Sequence, residues 1–294
     1  MASIRKTKGD IVFDIINVLI MLMLVFVTLY PMYYVVCASV SSNVLLLAEP
    51  GVLWYPKGVN LGAYKLAFTH PLLKSGYLNI LFILFVSLPL NITLTLFCGY
   101  FLASEKVYFK KPVLVFIMFT MFFSGGMIPG YLNVRDLGLY NTLWALIVPG
   151  CISVYNSIIC KTAIEAIPGS LTESAYIDGA NDLYIVFRIV LPLIMPTVAV
   201  LLLYYGVGHW NSWFSASLYI QDNDKLPIQN VLRAVLIANS NILNSAAAEG
   251  DKVDQFAETI KYAAIVITTV PVLCIYPFLQ KYFVKGVMIG AVKG

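Results

Sequence analysis

Residues 169–192 read GSLTESAYIDGANDLYIVFRIVLP. The stretch sits between two long apolar runs and matches neither. It carries Glu173, Asp178 and Asp182, an Asp-Gly-Ala break at 178–180, and a closing Leu191-Pro192 pair. The fold depends on what kind of chain keeps so polar a segment between such runs.

The whole chain supplies the context. Of its 294 residues, 60% are hydrophobic and only 12% charged, with a mean hydropathy of +0.84. Soluble domains carry about a quarter charged residues, so this much apolar surface needs a bilayer to solvate part of it. The composition predicts an all-α, polytopic membrane protein with a single membrane domain over 1–294. Runs long enough to cross, about 20 apolar residues each, lie near 12–37, 79–103, 112–131, 142–162, 193–214 and 261–283. The first follows a basic tail but is longer than the apolar core of a signal peptide and lacks a small-x-small cleavage site, so it reads as an anchor.

Basic residues orient the spans. With the N-terminus inside, the inner segments hold Arg5, Lys6, Lys8, Lys106, Lys110, Lys111, Lys161, Arg188, Lys281, Lys285 and Lys293. The outer loops are longer and hold the remaining basic residues, balanced by acids. The positive-inside rule then puts both termini, and segment 169–192, in the cytoplasm.

Within that segment, Ser170 and Glu173 have capping-box spacing, which predicts a helix from Leu171 to about Asp178. Leu171, Ala175 and Tyr176 would form its small apolar face. Gly179 suits the left-handed residue that closes a helix. Asn181 or Asp182 can cap a second helix running to Pro192, which suits the first turn of the next span. Taken alone, a plain surface connector explains these features as well, although it is long for one.

Several function classes find little support. No Asp, Glu, Lys or Arg lies mid-span, where ion-coupled carriers bury such groups, and no inverted repeat of broken helices stands out. The phosphate-cradling G-x-x-x-x-G-K-[ST] run is missing, so no nucleotide is expected on this chain. Cys37, Cys98, Cys151, Cys160 and Cys274 form no CxxC pair, and His70 and His209 are far apart. Neither a metal site, a catalytic set nor a nucleic-acid partner is expected. Energy for uphill movement must come from a partner.

At this point the residues are recognisable. Glu173-Ser174-Ala175-x-x-Asp178-Gly179-Ala180, followed by Pro192, resembles the EAA signature of permease subunits in bacterial ABC importers. Ser174 replaces an alanine of that pattern, and Val186 stands at its usual aromatic position. Residues 123–142, 208–220 and 280–294 are similar to the carbohydrate-uptake branch, of the MalG and LplC type. The resemblance implies a MetI-like permease fold with six transmembrane helices in the bacterial cytoplasmic membrane. It implies four kinds of partner: a second homologous permease, two cytoplasmic ATPase subunits, an extracytoplasmic sugar-binding protein, and the lipid bilayer. ATP and Mg would sit on the ATPases, and no cofactor on this chain. It also makes 169–192 the ATPase-coupling segment, with Glu173 meeting a basic group, and implies alternating access for sugar. A permease for a peptide or other non-sugar solute is the alternative, and a free-standing membrane enzyme a weaker one.

Other stretches carry plainer readings. His209, Trp210, Asn211 and Trp213 suit a sugar pathway by their flat rings and amide, or an interfacial aromatic belt. Loops 38–78 and 215–260 are the long outer segments, and the second contacts the binding protein if the resemblance holds. Gly125-Gly126 ahead of Pro129-Gly130 predicts a break or bend in the third run. The inner turn "SEKVYFKK" (104–111) offers lysines to lipid headgroups.

Overall fold

A computed structural model describes residues 8–49, 51–69, 71–104, 107–237 and 257–291. Within them every regular element is helical. Two compact units emerge, residues 1–70 with 234–267 and residues 71–233 with 268–294. Of the sequence features above, Arg5, Lys6, His70, Lys106, Lys293 and residues 238–256 of the outer loop 215–260 fall outside the described residues.

In the first unit, α1 (Lys8–Ser39) is apolar on all sides, with mean hydropathy 2.7 over its best window and none of that window buried. A helix apolar all round with no protein cover suits lipid. Its C-terminal end is held by the segment that follows it. Ser39 Oγ shares a 2.7 Å hydrogen bond with Tyr64 of α3 (Gly62–Thr69). Ser41 Oγ donates to Cys37 O and accepts from Lys57 N. Short α2 (Asn43–Ala48) adds Leu46 to a core of Cys37, Ala38 and Leu53.

In the second unit, α4 (Pro71–Ala103) is, among the described residues, the other helix that is by itself long and apolar enough to cross a membrane. Ser87, Asn91, Thr95 and Gly99 recur every four residues on it, on one buried stripe. Gly99 lets α8 (Val154–Glu165) approach closely, since a Cβ there would lie 2.8 Å from Cys160 Sγ and 3.1 Å from the Lys161 amide nitrogen.

The third, fourth and fifth predicted runs are interrupted, whereas 261–283 lies within one helix, Ala257–Ala291. The third divides into α5 (Lys110–Phe122) and α6 (Met127–Asp136), 110° apart. The break falls at the Gly125-Gly126 pair, where Gly126 takes φ +89°, as the sequence predicts. The fourth, 142–162, is not one helix but α7 (Trp144–Ile147) and α8, separated by a turn around Pro149-Gly150. After α9 (Gly169–Ile177) comes α10 (Asp182–Leu193), then an 87° turn at Ile194 into α11 (Met195–Trp210). A π-helical stretch, Ile185–Val190, lies inside α10. Pro192 therefore belongs to α10, and it is Pro196 that occupies the first turn of the next long helix, where its missing N–H costs nothing. Short α12 (Trp213–Tyr219), α13 (Ile228–Ile237) and α14 (Ala257–Ala291) complete the chain.

Candidate functional site

The polar segment forms a stiff corner. Its first helix begins at Gly169 with Pro168 as the flanking residue and no side-chain cap. The expected Ser170–Glu173 capping box is absent: the helix starts one residue earlier, so Ser170 is already helical and cannot take the extended cap conformation. Glu173 and Ser174 are exposed instead. The helix ends in a Schellman motif. Gly179 N donates to Tyr176 O at 3.0 Å and Ala180 N to Ala175 O at 2.9 Å. Gly179 has φ +82°, and a Cβ there would meet nothing within 4 Å. Glycine is required here for its conformation, not its size. Asn181 then caps α10, its Oδ1 accepting from Tyr184 N at 2.8 Å.

Three side chains lock this corner to α4. Tyr176 and Tyr100 hydroxyls both donate to Asp182 Oδ1, Tyr100 at 3.0 Å, and the two hydroxyls lie 3.0 Å apart. The hydrogen bond to this carboxylate, above all, pushes the Tyr176 phenol above its ordinary pKa. Ala175 is 8% exposed and packs among Leu96, Cys160, Ile164, Ile185, Val186 and Val190, while Ala180 rests against the same cluster.

The outward side is quite different. Ile177 is 86% exposed, and Leu171, Leu183 and Tyr184 are also exposed beside Glu173 and Asp178. Leu171 lies one turn before Ala175 on the same helix face, but it is exposed where Ala175 is buried. Glu173 also borders a cavity of about 490 Å³ with Lys110, Glu165 and Tyr100. There Glu165 pairs with Lys161 at 2.6 Å and Lys110 at 3.7 Å. Pro192 stands at the far end of α10.

The four residues 209–211 and 213 separate. His209 is buried, with Nε2 3.0 Å from Asn91 Oδ1. Asn91 Nδ2 donates to Gly150 O and Cys151 O at 2.9 and 2.8 Å, so Oδ1 must accept and His209 Nε2 carries the proton. Trp210 is buried, edge-on to Tyr77. Asn211 is the exposed C-cap of α11. Trp213 lies under the Arg233 guanidinium, 3.6 Å from its ring centre. Successive helical residues turn by about 100°, so neighbours 209, 210 and 211 point in different directions. Only His209 of the four borders a cavity of about 440 Å³ between α7–α8, α11 and α12.

Sequence reasoning missed Tyr100, Tyr176 and Asp182 as a set, together with Asn91 and Thr95. Thr95 Oγ1 lies 2.7 Å from Tyr205 OH, which also accepts from Ser153 N at 2.9 Å. The available signal was the polar 87-91-95 stripe inside an otherwise apolar run.

This architecture has close counterparts. "Protein LplC" of Bacillus subtilis is 40% identical over 295 residues, covering 99% of this chain and 98% of that one. The "Polygalacturonan/rhamnogalacturonan transport system permease protein YtcP" of the same organism is 38% identical over 282 residues, 96% of this chain and 98% of that one. A chain in the crystal structure of a bacterial ABC transporter involved in import of the acidic polysaccharide alginate superposes with a TM-score of 0.87 at 27% identity, over 96% of this chain and all of that one. The pattern described as "Binding-protein-dependent transport system inner membrane component" matches residues 1–289. The chain belongs to that family of membrane transport components.

Proposed function

We propose that this chain is one of two permease subunits in an ATP-driven importer that carries an oligosaccharide across the cytoplasmic membrane by alternating access. Relatives named for polygalacturonan/rhamnogalacturonan and for alginate support the substrate class and do not favour the peptide alternative. In this reading the chain is one permease domain with six crossings. α1, α4 and α14 are continuous; α5–α6, α7–α8 and α10–α11 are interrupted. Both termini lie inside. An extracytoplasmic binding protein delivers the sugar, and two cytoplasmic ATPases hold the ATP and Mg; this chain holds no cofactor.

The observation that carries the reading is the corner at Gly179. A helix locked to α4 on its inner side, with exposed Ile177, Glu173 and Asp178 on its outer side, is built to transmit a push. A flexible connector would absorb it. Asp178 sits in the turn itself and Ser174 on the exposed side, while Ala175 and Ala180 pack the corner inward and Pro192 ends α10.

Glu173 provides the test. It caps nothing, so Glu173→Gln removes charge without disturbing the helix start, and Glu173→Lys reverses the charge offered to a basic ATPase site. In the reconstituted four-subunit membrane complex with binding protein, Lys should abolish sugar uptake and stimulated ATP hydrolysis, with Gln intermediate. Normal uptake with Lys would refute the coupling role.

A further inference from the structure

The cavity of about 440 Å³ between the α7–α8 break, α11 and α12 is walled by neutral polar groups that the protein itself leaves open. Asn156 is 5% exposed and borders it, yet its side-chain amide has no hydrogen-bond partner among the described residues. Its amide atoms are not sealed in the core; they open onto the cavity, where water or a ligand can meet them. The neighbouring Asn91 shows the ordinary case, with both donors and its acceptor satisfied.

The rest of the wall has the same character. Ser215 and the hydroxyls of Tyr204 and Tyr219 border the cavity and also lack partners among the described residues. No Asp, Glu, Lys or Arg lines it. Aromatic rings continue away from it in two directions. Tyr219 stacks on Tyr131 at 6.3 Å and 10°, and Tyr131 meets Tyr140 edge-on at 5.8 Å. Tyr204 lies 6.4 Å from Tyr155. The depth also fits a passage. Asn91 holds the cavity's Gly150 from a point 103 − 91 = 12 residues before the end of α4, about 18 Å along the helix axis.

Unfilled neutral donors and acceptors beside flat apolar faces match one ligand chemistry. A pyranose ring offers hydroxyls around its edge and C–H faces above and below. A peptide or ion would call for charged or carbonyl-rich walls. We infer that this cavity is a saccharide subsite on the transport path. Asn156 and Ser215 hydrogen-bond ring hydroxyls there, and Tyr204 and Tyr219 give stacking faces. The inference rests on the importer reading above and adds that this chain itself touches the sugar through uncharged contacts. Any uronate carboxylate is then matched elsewhere in the complex.

Asn156 supplies the decisive variant, and Gly208 a steric one. Gly208 borders the cavity, and a Cβ built on it meets nothing within 4 Å, so Gly208→Phe projects into open space. Asn156→Leu keeps the volume and removes the amide. The assay uses the complete importer in proteoliposomes, with trigalacturonate, raffinose and maltotriose as probes, and reads sugar moved per ATP hydrolysed. That ratio cancels differences in assembly. We expect it to fall at least tenfold in Gly208→Phe and severalfold in Asn156→Leu for whichever probe the wild type carries. If Asn156→Leu keeps the wild-type ratio, the cavity is only water-filled space, whatever Gly208→Phe does, and the inference fails. A wild-type complex that carries none of the oligosaccharides fails the importer reading instead.

Discussion

Tyr100, three residues before the end of α4, donates a 3.0 Å hydrogen bond to Asp182, the first residue of α10. The contact ties a long apolar helix to the polar corner, so neither can tilt without the other. Asp182→Ala should loosen this joint, whereas Asp182→Asn keeps an acceptor oxygen for both tyrosines. Hydrogen exchange should quicken across 169–181 in the Ala variant and change little in Asn. Sugar uptake per ATP should fall in the same order, with Tyr176→Phe between. Equal exchange in all three would show that the contact is incidental.

At Gly179, conformation and space are separable. The left-handed backbone costs a non-glycine residue about 1–2 kcal/mol, and asparagine tolerates it better than β-branched residues. Because a Cβ meets nothing, Gly179→Asn should retain most coupling and Gly179→Val should lose it, while both assemble with the second permease. Stimulated ATP hydrolysis in proteoliposomes measures the difference. Equal loss would point to size.

Asn91 is the test of stability. Asn91→Leu strands two carbonyls and the His209 N–H, each worth about 1–3 kcal/mol when buried unpaired. Thr95→Val removes only one partner of Tyr205. The thermal midpoint in detergent should fall clearly for Asn91→Leu and far less for Thr95→Val. A reversed order would contradict the network described.

Orientation is tested by labelling. In a background without the native cysteines, Ser174→Cys should resist impermeant thiol reagents in intact cells, and Asn60→Cys should react. Both positions are exposed on the protein, so sidedness alone separates them. Outside labelling of 174 would invert the topology.

Much of this was legible along the chain because it depends on neighbours in sequence. The Gly179 corner, the Asn181 cap and the break at Gly125-Gly126 all follow from local backbone preferences. The capping box failed for an equally local reason, a one-residue shift of the helix start behind Pro168. The interruption of 142–162 was harder to read. Its Pro149-Gly150 signal was present, but an apolar average passes over a short break, and the group that makes it tolerable, Asn91, lies 59 residues earlier. The tyrosines on Asp182 were hidden likewise, since Tyr100 is 82 residues away. Treating 209–213 as a single patch ignored helical rotation, which sends each side chain its own way.

In the six-crossing reading proposed above, the interrupted α7–α8 stretch bears on how the protein is made. Four and twelve helical residues rise only about 6 and 18 Å, against some 30 Å of hydrocarbon, and the turn between them bares carbonyls that lipid cannot satisfy. Such a stretch has poor standing as an autonomous insertion unit. Synthesis runs from the N-terminus, so α4 and its waiting amide leave the ribosome well before Gly150 does. Tyr205 and His209 follow later and close the arrangement. The order of the helices along the chain is thus also a workable order of assembly, with an early helix acting as an internal chaperone for a later one that does not span by itself.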